Sequence, residues 1–163
     1  MTETMRTMKS RALSLETPLG ADKLLLLSMH GSEALGRLFQ YELDVFSEGA
    51  PVDPDKILGQ NVTIRLDIPK KESRYFNGYI SKFTLLAVDE SKENRKLFTY
   101  RATMVPWTWF LTRTSDCRIF QDKTVPEIIE EVFRDKHMTD FKNDCTETYR
   151  KWEYCVQYRE TDF

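Results

Sequence analysis

The residues best equipped for chemistry in this 163-residue chain are two histidines, three cysteines and a few adjacent carboxylates. A histidine could serve as a general base and a cysteine as a nucleophile. Either could bind a metal if the spacing brought several together. The spacing does not do so. His30 and His137 are far apart in sequence, and neither has another His, a Cys or a carboxylate pair at ligand spacing. His137 follows a stretch with helical periodicity and reads as a capping or surface residue. Cys117, Cys145 and Cys155 have no Cys-x-x-Cys spacing, which argues against a zinc site. Cys145 and Cys155 could face each other across a hairpin, but sequence does not fix disulfide geometry. The plainer expectation is three buried or half-buried thiols kept reduced in a cytoplasm.

Other catalytic signatures are missing as well. The chain has no Gly-x-Ser-x-Gly elbow, no His-Glu-x-x-His pair and no phosphate-binding glycine loop. Glu130 and Glu131 fall on the solvated face of a predicted helix, and nothing singles out an acid pair of the kind a glycosidase needs. Acids and bases are mixed along the chain, with a net charge of −2 and no basic stripe for nucleic acid. The basic start, Arg6, Lys9 and Arg11, leads into a segment broken by Glu16, Asp22 and Lys23 rather than into an apolar export core. Leu24–Leu27 is too short to span a bilayer. No catalytic residue, cofactor or metal is therefore assigned. One local cluster stands out: Trp107, Trp109 and Phe110 after Pro106. Such aromatics stack on sugar rings, form a protein interface or plug a core, the last being the commonest.

The elements that would position these residues are mostly strands. Phe39–Phe46, Asn61–Ile68, Tyr75–Ala87 and Lys96–Met104 alternate apolar and polar residues, so one face of each strand is buried. Leu13–Leu15 and Lys23–Met29 read as a first hairpin through the turn Thr17–Gly20, and His30–Glu33 reads as a break after it. Asp53 to Gly59 reads as one capped helical turn. Pro69–Ser73 and Asp89–Asn94 are expected turns. The apolar set of the long third strand changes face near Gly78, which predicts a bulge and a curved sheet there. Val125, Ile128, Ile129, Val132 and Phe133 form one helical stripe, predicting a helix over 125–136. Thr124 and Glu127 supply its capping box. Phe141–Cys145 and Trp152–Tyr158 read as two further strands.

Several segments, taken together, point to a family. They are Leu38–Leu43, Leu58-Gly59-Gln60, Phe76-Asn77-Gly78, Val105–Gln121 with Leu111–Pro126 the most specific, and Tyr154–Phe163. In this order and spacing they resemble the N-terminal region of the VgrG proteins, the spike proteins of bacterial type VI secretion systems. The resemblance runs from about Leu13 to Phe163. It implies a mainly β fold with one clear α-helix, built as a curved antiparallel sheet or partial β-barrel of the phage tail hub type. The start of a second α+β subdomain follows. The implied organisation is a flexible arm over 1–12, a barrel-like hub domain over 13–112, and the second subdomain over 113–163. The chain stops inside a motif that in this family leads into another helix, so the second subdomain is expected to be truncated. A piece of this kind is expected to trimerise weakly or not at all.

The resemblance also implies a structural, non-enzymatic role. It points to a hub that is a homotrimer at full length, continues a tube of Hcp rings, and carries an effector or tip protein through a C-terminal region. It further implies a protein held in the bacterial cytoplasm and fired into target cells without a signal peptide. A contractile phage tail baseplate hub is the nearest alternative. A cell-wall hydrolase, or a carbohydrate-binding module using Trp107 and Trp109, ranks below it.

Overall fold

A computed structural model describes residues 12–69, 71–90 and 95–163. The expected arm over 1–12, apart from its last residue, lies outside the described residues. So do Lys70 of one expected turn and residues 91–94 of the other. The chain divides into two compact units, Met1–Trp107 and Thr108–Phe163, against an expected boundary at 112.

The first unit contains β1 (Leu13–Glu16), β2 (Leu25–Ser32), β3 (Gln40–Glu48), β4 (Asn61–Leu66), β5 (Arg74–Glu90) and β6 (Lys96–Val105). They form one antiparallel sheet in the order β1-β4-β5-β6-β3-β2, and the two end strands approach each other. The sheet therefore nearly closes into a barrel. Period-two alternation fills its interior: Tyr41, Leu43 and Val45 of β3 stand opposite Met104, Ala102 and Tyr100 of β6, and all six are buried. Val62, Ile64 and Ile80 complete this wall, and Ile57 plugs it from a short 3-10 turn over Pro54–Lys56. Asp53 caps that turn by accepting from the Asp55 amide at 3.1 Å, as the sequence suggests. The opposite faces of the same strands are polar. Arg101 donates to Asp44 at 3.0 Å, Ser28 to Asp44 at 2.9 Å, and Thr103 to Glu42 at 2.9 Å.

Three strand expectations need correction. β1 and β2 do not form a hairpin: β1 pairs with β4, Leu15 facing Ile64, while β2 pairs with β3. The Thr17–Gly20 turn exists, with the Gly20 amide donating to Thr17 O at 3.2 Å. It redirects the chain to the far end of the sheet, where β2 takes up a different neighbour. His30 and Gly31 do not break the strand either, since β2 runs on through Ser32 with His30 opposite Glu42. Cross-strand pairing overrides the weak local propensity there.

The expected curvature lies in β5, but the irregularities are at Ser81 and Leu86, not at Gly78. Gly78 sits in regular register opposite Val62. A Cβ there would meet the Val105 carbonyl oxygen at 2.7 Å and Met104 Cγ at 2.8 Å. The glycine therefore permits close approach of β6 rather than forming the bulge.

The second unit contains β7 (Ser115–Lys123), α1 (Val125–Asp135) and β8 (Trp152–Thr161). β7 and β8 pair as a two-stranded antiparallel ribbon. Ser115–Lys123 carries no assigned strand in the sequence reading, because the charged Asp116, Arg118, Asp122 and Lys123 blur its alternation. Phe141–Cys145, conversely, is not a strand. Phe141 packs edge-on against Phe133 of α1 at 5.0 Å, and Asn143 uses its side chain twice: to donate to Glu130 and to accept from the Cys145 amide. These side-chain bonds take the place of a ladder.

Candidate functional site

The expected site residues lie in or beside the second unit. Trp107, Trp109 and Phe110 fall in a 3-10 helix over Trp107–Arg113 and are half-buried rather than presented flat to solvent. Trp109 meets Phe110 edge-on at 5.5 Å, and the Arg113 guanidinium lies 5.1 Å from the centre of the Trp109 ring. Leu111 of the same turn is buried.

Thr124 and Glu127 form a reciprocal cap at the start of α1. The Glu127 carboxylate accepts from the Thr124 amide at 2.7 Å, and Thr124 Oγ1 accepts from the Glu127 amide at 3.4 Å. The Thr124 amide and hydroxyl bonds pull the Glu127 carboxyl below the usual carboxylate range. The helix ends at Asp135, with Lys136 as its C-cap. His137 follows in a left-handed conformation with φ 58°, its amide donating to Arg134 O at 2.8 Å. His137 thus terminates a helix, and His30 lies exposed on β2.

Among the described residues no cluster of three His, Cys, Asp or Glu side chains could hold a metal ion. Glu130 and Glu131 are paired with Arg134 and Lys123 respectively. The expectation of buried or half-buried thiols is wrong: Cys117, Cys145 and Cys155 are all free and all exposed. Cys155 sits on β8 opposite Phe120, and Cys145 lies in the irregular segment before β8.

Two features of the second unit carry no assignment from sequence. The first is a polar knot around Asp162. Its side chain is fully buried and accepts from Thr114 Oγ1 at 2.6 Å, Lys136 Nζ at 2.9 Å and Gln157 Nε2 at 3.1 Å, and it is ion-paired with Arg118. Burial pushes the Asp162 carboxyl up. The bonds from Thr114, Lys136 and Gln157 and the Arg118 charge outweigh this and hold it down at about 2. No local pattern in sequence links these five positions, so only the fold reveals the knot.

The second feature is the outer face of the ribbon. Register places Trp152, Tyr154, Val156 and Tyr158 of β8 on the same face as Ile119 and Cys117 of β7. Tyr154, Tyr158 and Ile119 remain 63%, 65% and 66% exposed. Arg150 stacks over Trp152 at 4.3 Å and Arg159 over Tyr158 at 5.3 Å. Here a signal was available: the alternation over 152–158 is plain, although sequence could not say that this face would be left open. Its chemistry suits contact with other protein surface.

Known proteins give this arrangement a context. The sequence profile of the family described as phage tail baseplate hub (GPD) matches residues 32–163. The chain is 46% identical over 154 residues to the type VI secretion system spike protein VgrG1a of Pseudomonas aeruginosa, covering 94% of this chain and 23% of that protein. It is 43% identical to VgrG1b of the same organism, covering 95% and 20%. The chain thus spans about a fifth of the length of these curated relatives. Among solved structures it resembles that of the E. coli c3393 protein, described as a type VI secretion component with structural similarity to the T4 phage tail proteins gp27 and gp5. That match has a TM-score of 0.75 at 24% identity, covering 91% of this chain and 40% of that one.

Proposed function

The chain belongs to the phage tail baseplate hub family, in the branch of the VgrG spike proteins, and on that footing we propose that it is the N-terminal hub region of a type VI secretion spike. In this reading the barrel of the first unit joins a tube of Hcp rings to a puncturing needle and helps deliver effectors. The observation that carries the reading is the 46% identity to a type VI spike protein, sustained over 94% of the chain. The role is mechanical.

The wider partners belong to the same proposal. The hub works as a homotrimer within the full-length protein, and an effector or tip protein is carried by the region beyond the matched part. It waits in the bacterial cytoplasm and leaves by sheath contraction. No described helix is long and apolar enough to cross a membrane. The second reading, a contractile phage tail baseplate hub, is favoured by the family description itself. Neighbouring sheath and tube genes, with or without capsid genes, separate the two.

The test is a chimera in which residues 12–163 replace the matched region of P. aeruginosa VgrG1a in a strain lacking its own copy. Export of Hcp and of the chimera into the medium is the predicted result. A folded, trimeric chimera that leaves both proteins in the cells would overturn the proposal.

A further inference from the structure

The apolar stripe of α1 is only partly used. Val132 is its one buried residue, and Val125 and Ile129 remain 49% and 45% exposed. Between the helix and the ribbon lies an apolar groove of about 330 Å³, lined by Leu111, Phe120, Ile129, Phe133 and Phe163 among others. An eleven-residue helix is marginal without a packed face. Charge supplies the attachment that packing does not. Glu131 pairs with Lys123 of β7, Asp135 lies 3.4 Å from Arg118 of β7, and Lys136 lies 2.9 Å from the buried carboxylate of Asp162.

These contacts are unequal. The Lys123–Glu131 pair is half-buried and the Asp135 side is solvent-exposed, and ion pairs this open to water contribute little. Asp162 is not: its side chain is fully buried, and a buried carboxylate tolerates the loss of a cation poorly. Lys136 is also the only member of the Asp162 knot that comes from the helix end. Thr114, Arg118 and Gln157 come from the ribbon and its approach.

We propose that α1 is a charge-latched flap over the apolar groove, with Lys136–Asp162 as the latch. Loosening the latch frees the helix and uncovers the groove, while Arg118, Thr114 and Gln157 keep Asp162 and the ribbon in place. Hydrogen exchange read residue by residue distinguishes this from ordinary stabilisation. In Lys136→Met, amides of Ile128–Phe133 should exchange roughly tenfold faster or more, with those of Ile119 and Val156 unchanged. Binding of the apolar dye ANS should rise in parallel. Lys136→Arg, which keeps the charge, should retain most of the protection. Lys136→Gln, which removes the charge but keeps a polar side chain, should likewise accelerate exchange in α1 before it does so in the ribbon. This last arm stands even if Lys136→Met fails to fold. Unchanged α1 exchange in the variant, or equal loss from helix and ribbon in either experiment, would overturn the proposal.

Discussion

Asp162 is the residue at which the chemistry of this chain is most concentrated. Its carboxyl is held at about 2, against about 3.9 for an aspartate in an unfolded chain. Because the folded value is depressed, the unfolded state binds the proton more readily. The stabilisation is complete above about pH 5 and is lost progressively as pH falls through 2, and it amounts to about 2–3 kcal/mol. Urea unfolding of the second unit between pH 2 and pH 6 should show this slope, and Asp162→Asn should remove it. An unchanged slope in the variant would assign the acid sensitivity to other carboxylates. At the helix start, Thr124→Ala removes the hydroxyl that caps the Glu127 amide. It should cost about 1 kcal/mol, read as a shift in the denaturation midpoint.

At the scale of elements, the barrel wall makes the sharper prediction. Gly78 faces a backbone carbonyl, which cannot swing aside as a side chain could. Gly78→Ala should therefore destabilise the first unit by about 1–3 kcal/mol in thermal or urea unfolding. Met104→Ala, emptying a fully buried core position, should cost about 2–5 kcal/mol. The strands themselves were legible because period-two alternation is a local signal, as in Val62, Ile64 and Leu66 of β4. Their order was not. Whether β1 pairs with β2 or β4 depends on how the whole sheet closes, and the Thr17–Gly20 turn looks the same in either case. β7 was missed because its charged residues serve the Asp162 knot and the helix, not alternation alone. The capping box was readable from Thr124-x-x-Glu127 because its partners are three residues apart. The Asp162 knot was not, because Arg118 and Asp162 meet only once β7 and β8 are paired.

At the scale of the whole molecule, the features that stand out are surfaces. The barrel presents a polar outer face organised by Asp44, Arg101, Glu42 and Thr103, and the second unit leaves the aromatic face of its ribbon open. The curated relatives that the chain matches are about four to five times its length. The most direct test of the proposed hub role is electron microscopy of Hcp tubes mixed with the purified VgrG1a chimera. The account predicts tubes capped at one end, with the first-unit barrels forming a ring in register with the terminal Hcp ring. Bare tube ends beside a folded, trimeric chimera that stays free in solution would contradict it.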